Sequence, residues 1–98
     1  MIAVSTNDGV VTITLDGKFV FSEHREFRDT YKDNPPKTRY VLDFRRVTYM
    51  DSAALGMLLL LNEHNKSGGM DLIKIVNCTP QVAKVFEIAN FSQLFTIA

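Results

Sequence analysis

The first residues alternate between apolar and polar side chains, a pattern typical of β-strands with one covered face. Ile2 and Val4 alternate with small or polar neighbours, and the run "VVTITL" repeats the pattern at 10–15. Asn7-Asp8-Gly9 supplies turn residues between the two runs, so the pattern predicts a hairpin. Asp16-Gly17 is predicted to end its second strand.

The next apolar positions have helical spacing. Phe27 and Tyr31 are four residues apart and would lie on one side of a helix. Ser22 is predicted to be the N-cap of this helix, which would run to about Lys32. The following Asn34-Pro35-Pro36 stops it, because proline pushes the residue before it out of helical space.

The run "RYVLDF" at 39–44 is apolar at both odd and even positions, which predicts a central strand covered on two faces. The segment from Ser52 to about Lys66 has no clear period, because 58–61 is entirely leucine. It contains no β-branched residue, and Ser67-Gly68-Gly69 follows it. We therefore predict a buried helix there.

The last third of the chain repeats the alternation of strand and helix. "MDLIKIV" at 70–76 predicts a strand. Thr79 as cap and Pro80 at the first helical position predict a helix that closes near Asn90. "LFTIA" at 94–98 predicts a final short strand.

These elements predict an α/β fold in the order ββαβαβαβ, with a mixed β-sheet, an N-terminal hairpin and right-handed crossovers. The length of 98 residues predicts that 1–98 form a single domain. In such sheets ligands and partners meet the carboxyl ends of the parallel strands. The loop predicted at Phe44–Asp51 lies there, and so does Ser52.

Composition narrows the class of function. Eleven basic residues balance eleven acidic ones, so we predict no nucleic-acid partner. The longest apolar run, Ala53–Leu61, is much shorter than the ~20 residues that span a bilayer, and no membrane insertion is expected. Cys78 is the only cysteine, and the N-terminus does not resemble a signal peptide. We therefore expect a cytoplasmic protein.

Ser52 has two interpretations from the residues alone. A serine before an apolar helix is most often an N-cap, worth about 1 kcal/mol over alanine. Small neighbours (Ala53, Ala54 and Gly56) would also let a second macromolecule approach closely, and a phosphate is well tolerated at a helix N-terminus. Ser52 is thus a cap, a phosphoacceptor, or both.

The segment "MDSAALGMLLLL" at 50–61 resembles the signature of the STAS domain in its stand-alone bacterial form, the anti-sigma factor antagonist. The resemblance also covers "GKFVFSEHREF", "YVLDFRRVTYMDS" and "VNCTPQVAKVFEIANFSQLF", and so nearly the whole chain. It implies a STAS fold and a binding role rather than an enzymatic one. It implies no cofactor and no metal.

The resemblance implies that Ser52 is phosphorylated by a partner serine kinase, often itself the anti-sigma factor, and dephosphorylated by a serine phosphatase. The unphosphorylated form would bind the anti-sigma factor and release the sigma factor. The implied partner-binding residues surround this serine: Phe21, Ser22, Met50, Asp51, Ser52, Ala53, Ala54 and Met57. Ala53 and Ala54 depart from the family's common pattern, in which a glycine follows, and this affects which kinase fits.

A different role is a constitutive STAS subunit of a larger complex, such as a lipid-transport ATPase, in which Ser52 is only a cap. Other polar residues have structural explanations. Asp43 is expected to order its loop, His24 and His64 to be surface histidines near helix ends, and Arg45-Arg46 to be solvated. A hydrolytic triad is not expected, because no G-x-S-x-G elbow is present.

Two phenylalanines and the cysteine also have predicted environments. Phe19 and Phe21 flank the loop before the first helix and could extend a docking face, with at least one of them in the core. Cys78 is expected to be an inert buried thiol.

Overall fold

The predicted order ββαβαβαβ is confirmed in a computed structural model, which describes residues 2–65, 72–91 and 95–97. A 3₁₀ turn at Phe21–Glu23 precedes the first helix. The strands and helices are β1 (Ile2–Asn7), β2 (Val10–Phe19), α1 (His24–Asp29), β3 (Arg39–Met50), α2 (Ser52–His64), β4 (Ile73–Val76), α3 (Pro80–Ile88) and β5 (Thr96–Ile97).

The five strands form one mixed sheet in the order β1-β2-β3-β4-β5. β1 and β2 are antiparallel, as predicted for the hairpin, and the remaining neighbours are parallel. Asp8 and Gly9 in the hairpin turn have φ angles of 53° and 79°. A two-residue type I′ turn requires positive φ at both positions, and glycine adopts it without steric cost.

The helices cover only one face of the sheet. Each crossover moves one strand in the same direction, so right-handed connections place all three helices on one side. Buried residues accordingly alternate along the three central strands: Val11, Ile13 and Leu15; Tyr40, Leu42 and Phe44; Ile73 and Ile75.

The prediction that 39–44 is covered on two faces is therefore wrong. Val41 and Asp43, on the opposite face of β3, are only partly buried. The prediction of a second covered face rested on the apolar Val41. Valine, however, suits any half-exposed strand position and does not require a covering layer.

Two further predictions are wrong at the same place. Asp16-Gly17 does not end β2, and the predicted loop at Phe44–Asp51 is mostly strand. Gly17 pairs with Val47 after one shift in register, and Phe19 pairs with Met50 after a second. Bulges absorb the turn residues, and Gly17 does so with a φ of 66°. The two strands therefore extend together to the start of α2.

The first helix is shorter than predicted and does not begin at Ser22. Phe21–Glu23 forms a 3₁₀ turn, in which the Glu23 amide donates to the Val20 carbonyl at 2.9 Å. No side chain caps this turn or α1. The residues that the predicted cap would place at the start of the helix form this tighter 3₁₀ turn instead.

The second helix begins at Ser52 as predicted, but it is not buried all round. Leu58 and Leu61 are fully buried, whereas Leu59 and Leu60 are 38% and 58% exposed. Four consecutive leucines cannot all face the core, since residues 100° apart point in different directions. The predicted continuation to Lys66 and the stop at Ser67–Gly69 lie outside the described residues.

The third helix follows its prediction closely. The Thr79 hydroxyl accepts from the Val82 amide at 3.4 Å, and Pro80 is the first helical residue. Val82 and Phe86 are buried. β4 and β5 are confirmed at 73–76 and 96–97, while Met70, Asp71, Leu94 and Ala98 of the predicted strands lie outside the described residues.

Aromatic rings form a continuous row through the core. Ring centroids 5.1 to 5.9 Å apart join each neighbouring pair, mostly edge to face, which is a favourable geometry. From α1 to the end of the chain the row contains Tyr31, Phe27, Phe19, Phe44, Phe86, Phe91 and Phe95. It joins residues of α1 and α3 to residues of β2 and β3.

Candidate functional site

The start of α2 is capped by Asp51 and not by Ser52. Asp51 has an extended backbone, with φ −95° and ψ 176°. Its Oδ1 accepts a hydrogen bond from the Ala54 amide at 3.0 Å. The predicted cap role of Ser52 is therefore wrong by one position, because aspartate and serine cap equally well and the aspartate comes first.

The second oxygen of the same carboxylate binds another part of the chain. Asp51 Oδ2 accepts from the Phe21 amide at 3.3 Å. One side chain thus joins the 3₁₀ turn at 21–23 to the first turn of α2. This contact places the loop after β2 beside Ser52.

Ser52 is the first residue of α2 and is exposed. It follows the capping residue Asp51 directly and lies at the positive end of the helix dipole. Its exposure continues along α2 in a single stripe with the spacing i, i+4, i+7, i+8 and i+11. The members of this outward stripe are Ser52, Gly56, Leu59, Leu60 and Glu63.

The structure brings the predicted partner-binding residues together, in two layers. Phe21, Ser22 and Ser52 are exposed, and Asp51 and Ala53 are partly buried. The other three are buried beneath them, with exposed fractions of 8%, 0% and 5% for Met50, Ala54 and Met57. A role in partner binding stays a prediction for all eight residues.

The two phenylalanines before α1 have opposite environments. Phe19 is fully buried in the aromatic row, whereas Phe21 is 60% exposed. The Phe21 ring stacks on the His24 ring, with centroids 4.6 Å apart and planes at 16°. This contact holds a large apolar side chain on the surface beside Ser52.

Tyr49 is a surface residue of this region that the sequence did not single out. It is 48% exposed on β3, two residues before Asp51. With Met50, Gln81, Val82 and Val85 it lines a small pocket of about 200 Å³ between β3 and α3. The sequence does not indicate its exposure, because Thr48-Tyr49 belongs to the segment predicted as a loop. A loop has no periodic pattern that would show which way its side chains point.

Asp43 lies below the carboxyl end of β4 and orders the chain there. Its Oδ1 accepts from the Arg45 amide at 2.9 Å and from the Asn77 side chain at 3.1 Å. Partial burial acts to raise the pKa of Asp43, but these hydrogen bonds and the charges of Arg45 and Arg46 outweigh it and lower the pKa. The predicted ordering role is consistent with this geometry, though Asp43 belongs to a strand.

This chain is similar in sequence to proteins of a known family. The family model described as "Mlab, STAS domain" matches residues 2–96. This chain belongs to the STAS-domain family. A STAS-domain containing protein of Pseudomonas aeruginosa is 46% identical to it over 99 residues, which cover 98% of this chain and 96% of that protein.

Solved structures share the fold of this STAS domain at low sequence identity. The anti-sigma factor antagonist SpoIIAA in its unphosphorylated form gives a TM-score of 0.81 at 19% identity, covering 100% of this chain and 88% of that one. A putative anti-sigma factor antagonist from Thermotoga maritima gives 0.82 at 19% identity, covering 98% and 84%. The resemblance in the sequence is thus confirmed at the level of family and fold.

The histidines of this STAS domain lie near helix ends, as expected from the sequence. His24 Nδ1 lies 2.9 Å from the Phe21 carbonyl, and His64 Nε2 lies 3.0 Å from the Asn34 carbonyl. Arg45 and Arg46 are exposed, on strand β3 instead of a loop.

Cys78 of the STAS domain is packed against the core and partly buried. Burial raises the pKa of its thiol to about 11. The thiol is therefore protonated and a poor nucleophile near neutral pH. Among the helices that the structure describes, none has both the length and the apolar character needed to span a bilayer.

Proposed function

We propose that this STAS domain is an anti-sigma factor antagonist, and that phosphorylation of Ser52 controls its binding to an anti-sigma factor that is also a serine kinase. The observation that carries the proposal is the exposed Ser52 at the first position of α2, with capping left to Asp51. The Ser52 hydroxyl can react without loss of the cap.

The reaction at Ser52 is a phosphoryl transfer from a nucleoside triphosphate. The serine Oγ forms a bond to the γ-phosphorus, the nucleoside diphosphate leaves, and a base of the kinase takes the hydroxyl proton. A serine phosphatase returns the free hydroxyl by hydrolysis. This domain supplies only the acceptor and the surface around it.

The fold is expected to survive this modification. A phosphate adds nearly two negative charges at neutral pH. At a helix N-terminus the first backbone amides point outward and the dipole favours an anion. The site thus changes its charge while the domain keeps its shape.

A bound partner is expected to respond strongly. Asp51 already makes the site acidic, and phosphorylation increases its negative charge. Two like charges ~6 Å apart at an effective dielectric constant near 20 repel by roughly 3 kcal/mol, about a hundredfold in affinity. A partner with an acidic or apolar surface over Ser52 would therefore dissociate.

The test is recovery of a sigma regulator from the native host by tagged variants. We expect capture with the wild type and Ser52→Ala, and about a hundredfold weaker binding with Ser52→Asp. Ser5→Ala and Ser5→Asp are matched controls, because Ser5 is also an exposed serine but lies on β1, outside the predicted partner-binding residues. Equal capture by Ser52→Ala and Ser52→Asp would exclude the switch.

Intact-mass analysis separates this proposal from the alternative of a constitutive subunit. Under some growth condition, protein from the native host should gain the mass of one phosphate, mapped to Ser52. Copurification with a membrane ATPase and an unmodified Ser52 under all conditions would favour the subunit.

A further inference from the structure

A groove lies between α1 and α2, near the end of α2 that is farther from Ser52. Its volume is about 530 Å³. Leu60, at its rim, is eight residues from Ser52, or ~12 Å along the helix axis. The six residues that line the groove are His24, Arg28, Tyr31, Lys32, Leu60 and His64.

The lining combines positive charge with apolar surface. Arg28 and Lys32 carry full positive charges, two lining residues are imidazoles, and none of these six is acidic. Leu60 is 58% exposed. Leu59 beside it is 38% exposed. An apolar surface rimmed by charge marks an interaction site.

The nearby carboxylate does not occupy the groove. Lys32 Nζ lies 3.3 Å from Asp29 Oδ1, but both side chains are about half exposed, at 50% and 55%. Such an exposed pair contributes little and is readily exchanged for another carboxylate. Lys32 can therefore bind an incoming acidic group.

The floor of the groove is held in place before any ligand arrives. Tyr31 is 5% exposed, and its ring contacts the His64 ring edge to face at 5.1 Å. His64 is in turn fixed by its contact with the Asn34 carbonyl. A preformed floor lowers the ordering cost of binding.

We propose that this groove docks an acidic amphipathic helix of a partner protein. Apolar side chains of that helix contact Leu60 and Tyr31, and its carboxylates pair with Arg28 and Lys32. An amphipathic helix in a groove between two helices is a recurrent mode of recognition, and charge complementarity selects an acidic one. Leu60 and His64 lie eight and twelve residues from Ser52 along α2, whereas His24 borders the predicted partner surface through its stacking on Phe21. The proposal does not depend on phosphorylation.

The test uses the full chain, labelled with ¹⁵N, and a synthetic amphipathic helix made of glutamate and leucine. We expect saturable amide shifts centred on Arg28, Leu60 and His64. Arg28→Glu should weaken binding about tenfold or more, because it reverses a charge that pairs with the peptide. Arg45→Glu is the matched control, an exposed arginine on β3 that should bind as the wild type does.

Leu60→Ser is the second variant, and it should also weaken binding while the far-ultraviolet circular dichroism is unchanged. A peptide in which lysine replaces glutamate tests charge selection, and vesicles of phosphatidylglycerol test a lipid surface. Equal affinity for both peptides, equal loss with Arg45→Glu, or binding to vesicles alone would overturn the proposal.

Ser52→Asp separates this proposal from the switch. It should bind the acidic peptide with wild-type affinity, because Leu60, the groove residue of α2 nearest to Ser52 along the helix, is about two turns away. Failure of peptide binding with a normal response of the Ser52 variants in the capture experiment would reject the groove and retain the switch. The reverse pattern would reject only the switch.

Discussion

Asp51 and Ser52 are adjacent side chains with separate tasks. The Asp51 carboxylate binds the Ala54 and Phe21 amides, while Ser52 is exposed and contributes no cap. A folded scaffold that does not depend on its modifiable hydroxyl can change charge without changing shape. This separation is the basis of the proposed switch.

Removing each of these side chains should therefore affect stability differently. Asp51→Ala is expected to lower the free energy of unfolding by about 1–2 kcal/mol, because it removes the carboxylate that accepts from the Ala54 and Phe21 amides. Ser52→Ala is expected to change it by less than about 0.5 kcal/mol. Urea unfolding of both variants measures this, and equal losses would show that Ser52 also acts as a cap.

The sequence indicates that Asp51 and Ser52 lie at the start of a helix, but it does not indicate which of the two is the N-cap. Aspartate and serine are equivalent caps in a pattern, and only the backbone angles decide which one precedes the helix. The burial of Ala54 and Met57 is equally hard to predict, because a helix with leucine on several sides does not show which side faces the core. Met50 lies on β3, in a segment that the sequence predicts to be a loop.

At the scale of elements, the far end of α2 is locked to the start of β3 by Asn65. This side chain is fully buried. Its Oδ1 accepts from the Thr38 amide at 2.8 Å and its Nδ2 donates to the Thr38 carbonyl at 3.0 Å. No sequence pattern indicates this contact, since asparagine is common directly after a helix.

Asn65→Ala should be among the more damaging polar substitutions in the chain. It leaves the amide and the carbonyl of Thr38, a partly buried residue, without this partner, and we expect a loss of about 2 kcal/mol. Asn62→Ala, on a partly buried position of α2, is the control with a small expected effect. Thermal unfolding compares them; similar midpoints would contradict the role given to Asn65.

Local sequence patterns also do not predict that β2 and β3 continue past their turn-like residues. Asp16-Gly17 has strong turn chemistry, yet the sheet retains it through two shifts in register. Hydrogen bonding to a neighbouring strand outweighs a local turn preference of this kind. Where no such competition exists, as at Thr79-Pro80, the local signal was sufficient.

At the scale of the whole molecule, the order of elements and the mixed sheet were predictable, because alternation of strand and helix allows few topologies. The open face of the sheet was not expected. It follows from the strand order, in which every crossover connection moves in the same direction. That order is a property of the whole chain and cannot be inferred from the pattern of any one segment.

The stability of the molecule should fall in alkaline solution. Burial raises the pKa of Cys78 from 9.0 to about 11, and it also raises the pKa of Tyr31 and Tyr40 from 10.0. The folded state thus holds these protons more tightly than the unfolded state. Their contribution is fully present below about pH 9 and is lost as pH rises through the folded values.

Urea unfolding at about pH 7 and about pH 10 measures this loss. Cys78 is only partly buried, so its share should be of the order of 1 kcal/mol at most. Cys78→Ala should reduce the pH dependence and leave the part due to the tyrosines. A free energy of unfolding that is unchanged at the higher pH would contradict the expected direction.

Tyr49 gives the molecule a useful optical property. The chain has no tryptophan and three tyrosines, of which only Tyr49 is exposed, two residues from Asp51. Emission from a tryptophan in any docked protein would thus appear against a dark background. Energy transfer from Tyr49 to that tryptophan would report, in real time and without an added dye, when the surface around Ser52 is occupied.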